Sequence, residues 1–196
     1  MPFTSVISRI ALTGGPGGGK TSLLSLVMER APTSAGLFAV PEAATVLIRA
    51  GLVPGSFSFQ RAVFHLQLSL ENAVAEATER EGVLVCDRGT LDSLAYWRLL
   101  GGSEEGFWEF SGMTREEHLA RYLGVIHLET AAVGASEHYT RSEIGRPEPP
   151  EEAARIDSLC RSAWEGHPNR VFIPNTPGGW SEKLERAWAA VGGMLG

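Results

Sequence analysis

The chain has 196 residues, 43% hydrophobic and 20% charged, with 17 Lys+Arg against 23 Asp+Glu for a formal net charge of −6. That balance fits a single globular domain with a proper core, and it speaks against broad nucleic-acid binding, which depends on neutralising phosphates. Cys86 and Cys160 are too few for a disulfide scaffold or a metal site, the opening MPFTSVISRI lacks a signal-peptide pattern, and no apolar run approaches the ~20 residues of a membrane helix, so a soluble cytoplasmic domain without a membrane partner is expected.

Short apolar runs alternate with helical patterns along the chain, the signature of βα units and a parallel sheet. Val6–Leu12 reads as a strand and Lys20–Ala31 as a helix closed by Pro32. Leu37–Val40 is a second strand, followed by a helix over Glu42–Ala50 and a Pro/Gly turn at Val53–Ser56. The spacing predicts a long helix over Ser58–Glu81, with Phe59, Val63, Leu66, Leu70, Ala73 and Ala77 as its buried stripe. Val83–Cys86 is a third strand, and Thr90 is placed to cap a helix reaching Leu100. Gly101–Gly112 reads as a loop or broken helix, and Thr114 with Glu117 forms a capping box for a helix to Tyr122. Val125–Leu128 is a fourth strand. Glu129–Pro150 has no periodicity, as befits a functional connection such as a lid. A helix from Pro150, a strand at Arg170–Ile173 and an amphipathic helix over Ser181–Leu195 complete the chain.

The most informative segment is Gly14-Gly15-Pro16-Gly17-Gly18-Gly19-Lys20-Thr21, which fits the phosphate-loop spacing Gly-x-x-x-x-Gly-Lys-Ser/Thr. Glycines let the backbone curl so that its N–H groups converge on phosphate oxygens, and the following helix N-terminus favours anions. Lys20 is expected on the terminal phosphates, the Thr21 hydroxyl on magnesium, and Ser22 beside them. Its position between an apolar strand and a helix separates it from a chance glycine linker. Asp87 follows the third strand, where an acid is placed to hold magnesium with Thr21, and Arg88 is placed to meet a phosphate. The plainer alternative is a strand-end turn aspartate with a solvated arginine.

On the acceptor side, Glu42 at the end of the second strand is a candidate general base, or simply a first-turn helix glutamate. Gln60, Phe64, Gln67 and Glu71 share one face of the long helix, either toward a substrate or toward solvent, with Arg61 and Asp92 as further contacts. Tyr139, Arg141, Glu143 and Arg146 lie in the unpatterned connection, which suits a lid that brings Arg141 and Arg146 to the transferring phosphate. His127 reads as a packed strand histidine, and Asn175 as a border of the nucleotide base. Phe107, Trp108 and Trp180 are candidates for partner contacts or for packing.

The order of GGPGGGKTS, Pro41-Glu42-Ala43-Ala44, the Gln67-to-Glu71 spacing, Asp87-Arg88-Gly89 with Asp92, Leu128-Glu129, Arg146 ahead of Glu152-Ala153, Ile156-Asp157, and Trp164 before His167 resembles the NadR-type AAA-like P-loop ATPase/kinase family over nearly the whole chain. The best-known activity in that family is phosphorylation of nicotinamide riboside. Ser56-Phe57-Ser58-Phe59-Gln60 also resembles the substrate helix of deoxynucleoside kinases. That likeness implies Gln60 as a base reader and Glu42 as the catalytic base. Those kinases carry Glu-Arg-Ser or Asp-Arg-Ser where this chain has Asp87-Arg88-Gly89, so the match there is partial.

Together these features predict a three-layer α/β P-loop NTPase domain over residues 1–196, with a five-stranded parallel sheet in the order 2-3-1-4-5 by analogy with nucleoside and nucleotide kinases. The expected reaction is transfer of the terminal phosphoryl group of ATP, with Mg2+, to a small hydroxyl acceptor, with Glu42 as the base and Asp87 as its substitute. The rival reading is a regulatory ATPase or nucleotide-sensing module acting on a protein partner. A guanine-specific GTPase is disfavoured, since there is no Asn-Lys-x-Asp and the acid after the third strand is not in Asp-x-x-Gly.

Overall fold

Ile10, Ala11 and Leu12 are completely buried, which marks their strand as one covered on both faces. In a computed structural model that describes residues 7–31, 36–78, 81–135 and 148–195, this strand, β1 (Ile7–Thr13), is the centre of a five-stranded sheet. The others are β2 (Leu37–Val40), β3 (Gly82–Asp87), β4 (Gly124–Leu128) and β5 (Arg170–Ile173). All pair in parallel in the order β2-β3-β1-β4-β5, as expected for a P-loop NTPase. The register sets Leu12 beside Asp87 and Thr13 beside His127, so the ends of β1, β3 and β4 open onto a common crevice.

Period-two alternation divides the core between the sheet faces. Ile10 and Leu12 pack with Leu23, Val27, Val191 and Met194 from α1 (Lys20–Arg30) and α8 (Gly179–Met194). Ala11 faces the other way, into a cluster with Phe64, Leu94, Phe107, Ile156 and Trp164. These come from α3 (Phe57–Ala77), α4 (Asp92–Leu99), α5 (Glu104–Ser111) and α7 (Pro150–Ala163), with Trp164 directly after α7. The short helices α2 (Ala43–Arg49) and α6 (Arg115–Ala120) complete the fold. Among the described residues no helix is long and apolar enough to cross a membrane.

Three local expectations change. Gly101–Gly112 contains a true helix: the Ser103 hydroxyl accepts from Gly106 N at its start, Gly112 ends it at φ 66°, and Phe107 is buried. Thr90 does not cap α4. Its hydroxyl instead meets His118 Nδ1 at 2.9 Å and its N–H donates to Tyr122 Oη. The capping box of Thr114 and Glu117 is present.

The third change concerns α3, whose N-cap is Ser56, accepting from Phe59 N at 3.1 Å. Its buried face carries Phe59, Gln60, Val63, Phe64, Gln67 and Glu71, whereas Ala73 and Ala77 are exposed. The stripe is rotated toward polar residues because they bond one another and the sheet. Glu71, fully buried, accepts from Arg121 Nη2 at 2.7 Å, Tyr122 Oη at 2.7 Å and Gln67 Nε2 at 3.0 Å, with Arg9 Nε 3.4 Å away. Removing one member of such a network strands the others. Glu71→Ala is therefore expected to cost about 3 kcal/mol in urea denaturation. A loss within the few tenths of a surface substitution would show that the network does not hold α3 to the sheet.

Candidate functional site

β1 ends at Thr13 and α1 begins at Lys20, so residues 14–19 form the turn between them. Gly14 at φ 124° and Gly19 at φ 93° adopt backbone conformations that side chains resist, and a Cβ on Gly14 would lie 2.2 Å from the Leu128 carbonyl oxygen. Lys20 Nζ donates to the carbonyls of Gly14 (3.0 Å) and Gly15 (2.8 Å), which holds the ammonium against the loop. Burial lowers the Lys20 pKa, and the neighbouring Arg88 charge lowers it further. Pro16, Gly17 and Gly18 form the middle of the turn, and Ser22 follows Thr21 on the exposed side of α1.

Asp157 of α7 anchors the loop from behind. Its Oδ1 accepts from Gly15 N at 2.7 Å and Thr130 N at 3.0 Å, and its Oδ2 meets His127 Nε2 at 3.0 Å. Burial pushes this carboxyl up, but His127 and the two backbone N–H groups outweigh it and hold it below the ordinary value. The Thr130 hydroxyl donates to the Pro16 carbonyl, and Ala131 N donates to the Gly17 carbonyl at 3.3 Å. The start of the β4–α7 connection is thus a buttress of the phosphate loop. Arg141 and Arg146, with Tyr139 and Glu143, lie outside the described residues, as does most of the expected lid.

Asn175 is placed differently from its expected role at the nucleotide base. Its Nδ2 donates to the carbonyls of Thr130 (2.8 Å) and Val133 (2.7 Å), and its Oδ1 accepts from Lys183 Nζ at 2.9 Å. It fastens the buttress to α8, and its side chain is committed there.

On the opposite side of Lys20, the Thr21 hydroxyl donates to Asp87 Oδ2 at 2.7 Å. Asp87 is 1% exposed, and its Oδ1 has no hydrogen-bond partner. Burial raises its pKa, and Glu42 adds to the rise. A buried carboxylate oxygen without a donor, beside a threonine hydroxyl at the helix N-terminus, fits a hard cation that takes oxygen ligands. No group of three or more His, Cys, Asp or Glu side chains suited to a metal occurs among the described residues. Mg2+ is a hard cation of that kind, commonly held by one or two protein oxygens together with phosphates and water.

Arg88 joins the two halves of the site. It is the one non-glycine described residue at positive φ (78°), a conformation that costs on the order of 1–3 kcal/mol. Its Nε donates to Glu42 Oε1 at 2.6 Å. Its Nη1 donates to the Gly14 carbonyl and to Asp92 Oδ1, each at 3.1 Å, and its Nη2 donates to Tyr96 Oη at 3.1 Å. Its own carbonyl accepts from Gln67 Nε2 at 3.0 Å, which connects it to the Glu71 network. Burial pushes the Glu42 carboxyl up, but Arg88, Lys20 and hydrogen bonds from Thr45 and Arg88 overcome it and hold the group at about 2.

A cavity of about 400 Å3 opens beside this hub. Glu42, Gln60, Gln67, Arg88, Asp92 and Tyr96 supply polar wall, and Ile48, Phe59, Val63, Leu99, Leu100 and Ile156 supply apolar wall. The structure thus brings Glu42, Gln60, Gln67 and Arg88 together as the sequence suggested. Phe64 is not among them. It is 1% exposed and packs edge-on against Phe107 and Phe110, so the ring expected to stack on a substrate belongs to the core. Gln67 lines the cavity, but its amide N–H groups serve Glu71 and Arg88. Arg61 sits over the rings of Trp97 and Phe110. Tyr96 and Asp157 were not singled out as site residues. Asp157 interrupts an apolar helix face between Ile156 and Cys160, and that is the signal that marks it.

A parallel 2-3-1-4-5 sheet with a glycine loop joining its central strand to a Lys-Thr helix start defines a P-loop NTPase domain. A family model described as an AAA domain matches residues 9–183, and the chain belongs to that family. No curated protein matches the sequence.

Glu42 also yields a stability prediction. Its folded pKa lies below its ordinary value of 4.5, so its contribution is complete above about pH 4.5 and fades as pH falls toward about 2. Wild-type unfolding free energy is expected to fall between about pH 4.5 and about pH 2 more steeply than that of Glu42→Gln. Equal slopes in urea titrations would show that the Glu42–Arg88 pair does not stabilise the fold.

Proposed function

We propose that the chain is an ATP- and Mg2+-dependent phosphotransferase that moves the terminal phosphoryl group to a hydroxyl of a small, nucleoside-like acceptor without a phosphate of its own. The observation that carries this reading is the cavity of about 400 Å3 beside the phosphate loop, with Arg88 bonded both to its wall and to Gly14. A nucleotide switch has no need of a formed apolar cavity there. The volume suits a small organic molecule. The resemblance to NadR-type and deoxynucleoside kinases supports the same acceptor class, as does Gln60 in the cavity wall.

The charge of the cavity argues for an acceptor without phosphate. Arg88 is the one cationic side chain among the described lining residues, and it is already committed to Glu42 and Asp92. Glu148 and Glu152 add further carboxylates to the wall. An acceptor bringing its own phosphate would meet net negative charge from the described lining residues.

In the proposed mechanism the loop amides of residues 17–19 and the Lys20 ammonium hold the phosphate chain. Thr21 and Asp87 would hold Mg2+, which when bound offsets charge on the phosphate oxygens. Glu42 stays ionised at neutral pH and accepts a hydrogen bond from the acceptor hydroxyl. A carboxylate this acidic is a weak base. It orients the oxygen, and a loose phosphoryl-transfer transition state makes little demand for early proton removal. Asp87 is the alternative proton acceptor. Arg88 fixes Glu42 and stabilises charge, and Arg141 and Arg146 are proposed to add charge from the lid segment. A regulatory ATPase remains the second reading, which the AAA-domain match supports.

Incubation with ATP, Mg2+ and a panel of nucleosides, including nicotinamide riboside, is expected to give a new monophosphate by mass spectrometry. The corresponding 5′-monophosphates are expected to remain unphosphorylated. Lys20→Ala should abolish the product, and Glu42→Gln should reduce it at least ~100-fold. ATP loss without a phosphorylated product, unchanged in Glu42→Gln, would contradict the kinase reading and favour the ATPase one.

A further inference from the structure

Trp180 lies in the first turn of α8, remote in sequence from the phosphate loop yet in contact with it. A Cβ built on Gly19 would fall 2.0 Å from Trp180 Cη2 and 2.3 Å from Cζ3, so the six-membered part of the indole rests on the backbone just before Lys20. The side chain is nevertheless 45% exposed. Among the exposed large apolar side chains of the described residues only Phe57 and Trp180 are aromatic, and Phe57 stands on the acceptor side against Trp97. An indole held at a phosphate loop with an open face is a surface on which a flat ring can stack.

The rest of the site indicates which ring. Arg88 and the acceptor cavity flank the loop on one side, joined to it through the Gly14 carbonyl. A phosphoryl donor must direct its terminal phosphate toward that cavity, so its nucleoside end leaves the loop from the other flank, where α1 and α8 begin. Trp180 stands there. Resting on the phosphate-transfer reading of this same site, we infer that the Trp180 indole is the platform on which the base of the donor nucleotide stacks.

The neighbouring polar side chains bear on selectivity. The side-chain amide of Asn175 is spent on Thr130, Val133 and Lys183. The Thr176 hydroxyl donates to Glu182 at 3.1 Å, and Arg186 Nη1 reaches the Pro174 carbonyl at 3.4 Å. The Asn175 and Thr176 side chains of the β5–α8 connection are thus engaged within the protein. Stacking without hydrogen-bonded readout accepts any purine, because every base has a π-face. The donor site holds ATP and GTP with similar affinity.

Calorimetric titration in Mg2+ with ATP, GTP and inorganic tripolyphosphate separates base from phosphate binding. Trp180→Ala is expected to raise the Kd of ATP and of GTP alike by on the order of 10-fold while leaving tripolyphosphate unchanged. Trp180→Phe, which keeps a ring, should restore most of the loss and guards against a merely misfolded alanine variant. Equal weakening of tripolyphosphate would show that Trp180 only shapes the loop and would overturn the proposal. Unchanged ATP affinity would overturn it too, and a loss confined to one purine would overturn the base-tolerant part. Failure of the wild type to bind any of the three would overturn the phosphate-loop reading itself, an outcome distinct from those of the variants.

Discussion

The site depends on a single guanidinium. Arg88 sits directly after the central-sheet strand β3, at a φ that non-glycine residues avoid, and its fork connects Glu42, Gly14, Asp92 and Tyr96. These partners come from three parts of the site. Glu42 closes the β2 side of the cavity, Gly14 begins the phosphate loop, and Asp92 and Tyr96 come from α4. The backbone strain is supported from below, since Gln67 donates to the Arg88 carbonyl and is itself held by Glu71. Strained residues persist where the surroundings over-determine them, and they cluster at functional sites.

Charges are arranged in pairs around the loop. Burying an ion costs several kcal/mol after relaxation unless a partner and hydrogen bonds compensate it. Arg88 has Glu42 and Asp92, Asp157 has His127 and two backbone N–H groups, and Glu71 has Arg121 and Arg9. Two groups differ. Lys20 is bonded only to loop carbonyls, and Asp87 keeps an oxygen without a donor. These are the groups proposed to meet the phosphates and the metal. The cationic Arg88 in the cavity wall, by contrast, is paired with Glu42 and Asp92.

The phosphate loop and the strands were readable because their physics is local. Glycines and a Lys-Thr pair at fixed spacing fit few other uses, and continuous apolar runs such as Ile10–Leu12 fit only a strand covered on both faces. Glu42, Asp87 and Arg88 were readable from their place at strand ends. What the chain did not disclose depends on long-range contact. Phe64 and Gln67 lie on one helical face, yet whether that face meets a substrate or a core depends on Phe107, about forty residues away, which packs against Phe64. Helix α5 was obscured by Gly101, Gly102, Gly106 and Gly112, although only Gly106 falls inside it. Asn175 occupied a plausible place beside the nucleotide, but its bonds to Thr130 and Val133 appear only once β4 and β5 are paired. Trp180 contacts Gly19 only because α8 packs beside α1.

The geometry of the Arg88 fork, beyond its charge, assembles the proposed catalytic arrangement. Lysine keeps the charge but cannot donate in those separate directions. The most direct measurement is the single-turnover rate of ATP consumption by Arg88→Lys under conditions where the wild type turns over, with ATP affinity measured alongside. The account predicts near-normal ATP affinity with a rate reduced on the order of 100-fold. A rate within a few-fold of wild type would contradict it and reduce Arg88 to a neutralising charge.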